Sequence, residues 1–340
     1  MTTAVRCGTA GAAGRPRGGV GRWIAGALAA AALLAGCAAG GAGRENKDSP
    51  AAPPSTAPGD TFIGFFSPEE GATVGTGMIV SLRFNRTITD RAAVERHITV
   101  TADPAVPVAG HWFGARRLDL RPAGYWRSGS RVTLHLRLRG VRGAPGTYGS
   151  QSKDVAFTVG RDQRSTVDAA AHVMTVERGG RVLRVLPVTA GSPRHTTYNG
   201  IMVIAEKYVT TRMNGRTVGF GGEYDIPDVP HAMRLTGSGT FVHGNYWSPP
   251  DVFGTANVSH GCVGLRDVRA PGDAAAGEWP NAQQTPAGWF FAQSLVGDQV
   301  RVVHSDDRTV APDNGMGGWN LDWAAWRSGS ALGRPHPVAR

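Results

Sequence analysis

The chain has 340 residues, enough for two ordinary domains with tails, and 41% of them are apolar, enough for a sizeable core. With 48 glycines, 22 prolines and only 18% charged residues, it suits strands and turns better than long charged helices. The formal charge of +10 would attract an anionic polymer or lipid surface. No helix-turn-helix pattern, zinc-finger spacing or basic run interleaved with aromatics accompanies that charge, which argues against nucleic acid as a partner.

Residues 1–22 carry Arg6, Arg15, Arg17 and Arg22 and no acid. The apolar run WIAGALAAAALL follows, from Trp23 to Leu34. Its 12 residues are too few to cross a bilayer as a helix and suit the core of an export signal. The run ends in Leu34-Ala35-Gly36-Cys37, which resembles the bacterial lipobox. That resemblance implies removal of residues 1–36, a lipid on Cys37, and attachment to the outer face of the cell membrane. An ordinary secretory signal with an incidental Cys37 is the alternative. The other cysteines are Cys7, which would leave with the signal, and Cys262, the candidate reactive thiol of an exported protein. Residues 37–60 are Gly, Ala, Pro and polar, and read as a flexible linker.

From Phe62 the pattern changes. MIVSLRFN (78–85), HITVTA (97–102), RRLDLRP (116–122), RVTLHLRLRG (131–140) and DVAFTVG (154–160) alternate apolar with polar between turn residues. This predicts an antiparallel β-sandwich over 61–162, without a catalytic constellation. Val132, Leu134, Leu136 and Leu138 share one face; Arg131, His135, Arg137 and Arg139 share the other, which reads as solvated. A second strand-rich region, 163–304, opens with a hairpin turning at Gly179-Gly180 and adds strands in IMVIAEKYV and GTFVHG. One short helix fits around 288–296. The fold class is therefore mostly β. In the tail, 305–340, Trp319, Trp323 and Trp326 share a face if helical and are expected to pack on the second, catalytic domain. His97, His111, His135, His172 and His195 are scattered and read as structural or surface. No HExxH or Cys/His ligand spacing occurs, so neither a metal nor a cofactor is expected.

Chemistry concentrates in Phe241-Val242-His243-Gly244 and Ser259-His260-Gly261-Cys262-Val263-Gly264-Leu265. A thiol nucleophile works as thiolate and needs a base or cationic neighbour. His243 ends an apolar run and would sit at a strand end; His260 lies two residues before the thiol. Gly261 gives the turn freedom and close access to backbone N–H groups, which can face a developing oxyanion.

These segments resemble the L,D-transpeptidase (YkuD-type) family, whose signature is a His, roughly fifteen residues, then Ser/Thr-His-Gly-Cys, an apolar residue and Asn. Here residues 244–258 supply the spacing. GGEYDIPDVPHAMRLTGSGTFVHGNYW and GMGGWNLDWAAWRSGSA (315–331) resemble the lid and tail of actinobacterial members, which also carry an Ig-like domain ahead of the catalytic one. The resemblance covers about residues 60–331. It implies that Cys262 attacks the third, diamino-acid residue of a peptidoglycan stem tetrapeptide. D-Ala leaves, and an amine of a neighbouring stem resolves the thioester into a 3→3 cross-link. His243 is implied as base, oriented by the Gly244 carbonyl, with His260 shaping the loop. Gly261 and Cys262 N–H groups are implied in the oxyanion hole. Tyr224, Ser238, Gly239, Gly244 and Ser259 are implied at the substrate, Tyr246 and Trp247 at the lid. Gly264 replaces the family Asn, which limits any substrate contact there to backbone. β-Lactams, carbapenems in particular, are expected covalent inhibitors. A thiol hydrolase and a non-catalytic wall-binding lipoprotein are the competing classes.

Overall fold

The computed structural model describes residues 60–269 and 282–333. The export signal, Cys37 and the linker lie outside the described residues. Among the described residues no helix is long and apolar enough to cross a membrane.

All five alternating runs form strands: Val80–Phe84, Ile98–Asp103, Arg117–Pro122, Arg131–Arg137 and Ser152–Val159. Together with Gly64–Ser67, Thr73–Val74 and Val108–Phe113 they make two four-stranded sheets. Phe62, Ile79, Leu82, Leu118, Leu136 and Phe157 lie in the core between them. In Arg131–Arg137 the apolar face is buried as expected, while Arg131 and Arg137 are exposed. His135 is held between Thr101 (3.0 Å) and Asp154 (2.9 Å), so it is fixed rather than simply solvated.

The second region is one nine-stranded sheet. Its strands are β1 (Gln163–Asp168), β2 (Val173–Arg178), β3 (Arg181–Thr189), β4 (Gly200–Val203), β5 (Glu206–Asn214), β6 (Asp225–Arg234), β7 (Phe241–Asn245), β8 (Val263–Arg266) and β9 (Gln299–Val303). Their order is β4-β9-β1-β2-β3-β8-β7-β6-β5. Strands β4 and β5 stand at opposite ends of that order, yet only Ile204 and Ala205 separate them. The sheet therefore curls until its edges approach. Gly179 and Gly180 turn the β2–β3 hairpin with φ of +55° and +77°, a left-handed pair that side chains with a Cβ disfavour. Helix α1 (Pro286–Gln293) starts on a Thr285 side-chain cap with proline at its first position. It seals an apolar cluster of Met202, Val242, Val263, Leu265, Phe290 and Val300.

The tail packs on both regions, and Val310 joins the apolar cluster of the catalytic sheet. Helix α2 (Trp323–Ser328) docks on the sandwich rather than on the catalytic sheet. Trp326 is fully buried there, and its indole N–H donates to the Ala109 carbonyl at 2.9 Å. The Arg121 guanidinium lies 4.5, 5.7 and 4.4 Å from the rings of Trp319, Trp323 and Trp326. It donates to the carbonyls of Gly318 and Leu321. Burial pulls its pKa down to about 10, which leaves it charged at neutral pH, held by ring faces and carbonyl dipoles. Arg117 pairs with Asp119 at 2.6 Å and donates to the carbonyls of Asp313 and Gly315. The tail thus buries the polar face of Arg117–Pro122 and the outer face of Val108–Phe113, whose inner face packs in the sandwich core, so that strand lacks the expected alternation. Asn320 ties the same tail to the catalytic sheet through both backbone groups of Ile201.

Candidate active site

Strands β7 and β8 run parallel, with Val242 opposite Val263 and His243 opposite Gly264. Side chains alternate along a strand. Val242, Val263 and Leu265 enter the sealed cluster, whereas Phe241 and Cys262 share a second one with Met213, Tyr224 and Val229. His243 lies on the same face as Phe241, one step along from Cys262. The pairing register therefore brings base and nucleophile to diagonal positions on one face.

Cys262 is 1% exposed. The Phe241 N–H donates to its sulfur at 3.0 Å, and the Gly239 carbonyl lies 3.8 Å away. Gly261 (φ +119°) makes the turn that delivers the thiol.

His243 is buried, and Trp247 stacks on its ring at 5.6 Å and 14°. Its Nδ1 lies 2.8 Å from the Gly244 carbonyl. A carbonyl only accepts, so Nδ1 carries the proton and the neutral ring keeps its lone pair on Nε2. That atom is buried with no hydrogen-bond partner among the described residues. Burial lowers the His243 pKa to about 4; the Gly244 hydrogen bond and the Asp267 carboxylate oppose the shift. The ring is thus a neutral base of fixed tautomer.

His260 is engaged elsewhere. Its Nε2 meets Glu223 at 2.6 Å, and its ring stacks on His195 at 4.6 Å. His195, read as a scattered residue, is brought to the site from 65 positions away in sequence. His195, Glu223 and His260 hold ligand atoms within 4.8 Å of one another, residue types that suit zinc. Their rings are only 14° from parallel, which sends the nitrogen lone pairs side by side rather than to one point. As placed, the trio latches the loop after β5 to the nucleophile turn.

The remaining site residues divide. Ser238, Gly239, His260 and Gly261 line a pocket of about 170 Å³ with Thr196, Tyr198, Val218 and Thr240. Tyr224 is buried beside the thiol cluster, its ring 5.5 Å from His260. Gly244 supplies the carbonyl that orients the base. Ser259 is buried and works as a staple: its hydroxyl donates to the Cys262 carbonyl at 2.6 Å and accepts from the Gly261 N–H at 3.0 Å. Both groups are therefore engaged within the loop: the Ser259 hydroxyl bridges it, and the Gly261 N–H is hydrogen-bonded to Ser259. Tyr246 hydrogen-bonds Asp228, so of the two lid aromatics only Trp247 touches the base.

The glycine at 264 has a steric reason. A Cβ there would stand 2.9 Å from Thr189 Cγ2 and 3.3 Å from Asn245 Nδ2. Asn245, buried two residues after the base, occupies the space that a side chain at 264 would enter. Its Oδ1 accepts from the N–H groups of Trp247 and Ser248, fixing the turn that lays Trp247 on His243.

Residues 162–302 match the L,D-transpeptidase catalytic domain, and residues 36–142 match a bacterial Ig domain. L,D-transpeptidase 1 of Mycobacterium tuberculosis is 31% identical over 240 residues, 70% of this chain and 83% of that protein. The chain belongs to the L,D-transpeptidase family. L,D-transpeptidases 2 and 5 of the same organism are 30% and 32% identical over 81% and 84% of this chain. The chain spans 64% and 59% of their lengths, less than two thirds of each. Among solved structures, an L,D-transpeptidase in complex with imipenem is 30% identical at a TM-score of 0.57, covering 73% of this chain and all of that one. L,D-transpeptidase 3 of M. tuberculosis with a faropenem-derived adduct is 25% identical at 0.53, covering 71% of this chain and 97% of that one. Sequence reasoning found the signature of this L,D-transpeptidase-family chain but missed Glu223, His195, Asn245 and Asp267. His195 and Glu223 come from distant segments, whereas Asn245 and Asp267 lie two residues after His243 and five after Cys262, where only the fold shows what they contact.

Proposed function

We propose that this protein is a peptidoglycan L,D-transpeptidase working through a Cys262 thioester. The observation that carries the reading is the pair itself: a sulfur held by a backbone N–H on the same sheet face as a histidine of fixed tautomer. Cys262 gives its proton to His243 Nε2 and adds to the carbonyl of the third stem residue. Collapse expels D-Ala, whose nitrogen takes the proton back. The side-chain amine of a second stem then attacks the thioester, and a 3→3 amide forms as the thiol is released. The pocket at Ser238, Gly239 and Gly261 suits an extended peptide beside the sulfur. Incubation with purified disaccharide tetrapeptide should yield a dimer lacking one D-Ala, read by mass spectrometry. Tripeptide alone would make the enzyme a hydrolase. Imipenem should add covalently to the protein, as expected of a β-lactam target.

The placement we propose is lipid anchorage at Cys37 on the outer face of the cell membrane. The basic start, the 12-residue apolar run and the small residues before Cys37 support it. Cys37→Ala should shift the protein from the membrane to the soluble fraction; retention in the membrane, with no lipid on the native protein, would refute the anchor.

A further inference from the structure

Behind the base lies a second histidine–carboxylate pair that the reaction as written does not use. Asp267, just past β8, and His231 on β6 are both buried and meet at 2.7 Å. The other Asp267 oxygen accepts from the Thr285 hydroxyl at 2.8 Å and the Val268 N–H at 2.9 Å. Three contacts thus hold the carboxylate in place. The carboxylate is pressed against the peptide that orients the base: a Cβ on Gly244 would stand 2.0 Å from Asp267 Oδ2. The Asp267 N–H also donates to the Asn245 carbonyl, one residue further along β7. Position 244 thus has to be glycine, because the carboxylate occupies the space where its side chain would begin.

We propose that Asp267 is a positioning residue of the transpeptidase, a buried negative charge set behind the Gly244 peptide that holds His243 in place and strengthens it as a base. The inference rests on the assignment of His243 as base to Cys262. Its physical content is electrostatic. When His243 takes the thiol proton, an imidazolium forms in a buried site, and a fixed carboxylate nearby offsets that cost. Among the described residues, Asp267, past the end of β8, is the charge that acts on His243; Cys262 precedes β8, Tyr224 and His260 lie on the thiol side, and His231 on β6 meets the carboxylate. Helix α1 brings no charged side chain, and Arg269 is spent on Asp228 at 2.7 Å near the surface. His231 holds a left-handed backbone (φ +48°), a conformation asparagine also tolerates.

The experiment measures imipenem acylation rate against pH for the native protein and for Asp267→Asn, His231→Asn and His243→Ala. Asp267→Asn keeps the shape and removes the charge. It should lower the plateau about 3- to 10-fold and move the acid limb to lower pH by up to about one unit. His231→Asn keeps a donor to the carboxylate and leaves the charge. Its plateau should stay within about twofold of native, with the limb unmoved or raised. A merely structural pair would give the two variants the same loss with no shift of the limb, and that result overturns the proposal. A folded Asp267→Asn with a native profile also overturns it. If Asp267→Asn does not fold, His231→Asn decides alone: loss of the plateau refutes, retention supports. His243→Ala separates this inference from its premise. If His243→Ala acylates at the native rate, the base assignment fails; if it is slow while Asp267→Asn behaves as native, only the role of Asp267 fails.

Discussion

Cys262→Ser should lose both imipenem adduct formation and cross-linking while remaining folded. The sulfur stands 3.0 Å from the Phe241 nitrogen and 3.8 Å from the Gly239 oxygen, and a serine hydroxyl there would be a far weaker nucleophile than a thiol. A serine there would also need a far stronger base than a histidine whose pKa burial holds to about 4. Intact mass with imipenem and dimer yield from tetrapeptide are the two readouts. Cross-linking by the pure variant would dismiss Cys262 as nucleophile and, with it, the thioester.

His243→Ala should slow acylation by about 100- to 10,000-fold, the range expected when a general base is removed. His260→Ala should lose less, because its Nε2 is committed to Glu223 and its ring to His195, and Gly261 turns the chain between it and the thiol. The pH profile adds a signed test. The free base works when neutral, and its pKa is lowered by burial from 6.5 to about 4. Native acylation should therefore persist as pH falls through 6.5 and decline only toward about 4. An acid limb near 6.5 would point to a more exposed histidine as the base. Stability follows the same sign. A histidine buried neutral stabilises the fold above its unfolded pKa, and that contribution fades as pH falls from there toward 4. His243→Ala should lose this part of the acid sensitivity.

What the sequence made legible was local. Alternation found five strands of the sandwich because their outer faces meet solvent or carry side chains that pair across strands. It missed Val108–Phe113, since α2 covers the face that would have been polar. The resemblance that assigns His243 and Cys262 rests partly on the fifteen residues between His243 and Ser259, a spacing that the fold uses to set β7 and β8 side by side. Contacts that depend on how distant segments fold together left no trace. Glu223 reaches His260 across 37 positions and Asp267 reaches His231 across 36. Ser259 shows the opposite limit. The motif names the residue, but only its two hydrogen bonds reveal that the hydroxyl staples the loop.

The caged Arg121 bears on how this protein can be cut. Read as text, the chain looks modular, with a sandwich, a catalytic sheet and a spare tail. The strap makes that division misleading. A fragment ending at residue 304 would strip three tryptophans and two carbonyls from a buried guanidinium, and would remove the Asn320 clasp on Ile201. A fragment starting at residue 163 would leave Trp326 with neither its pocket nor the Ala109 carbonyl. The smallest piece that keeps every buried charge solvated by protein runs from the first strand of the sandwich through α2. Any transplant of this catalytic sheet onto another carrier has to take the sandwich and the tail with it.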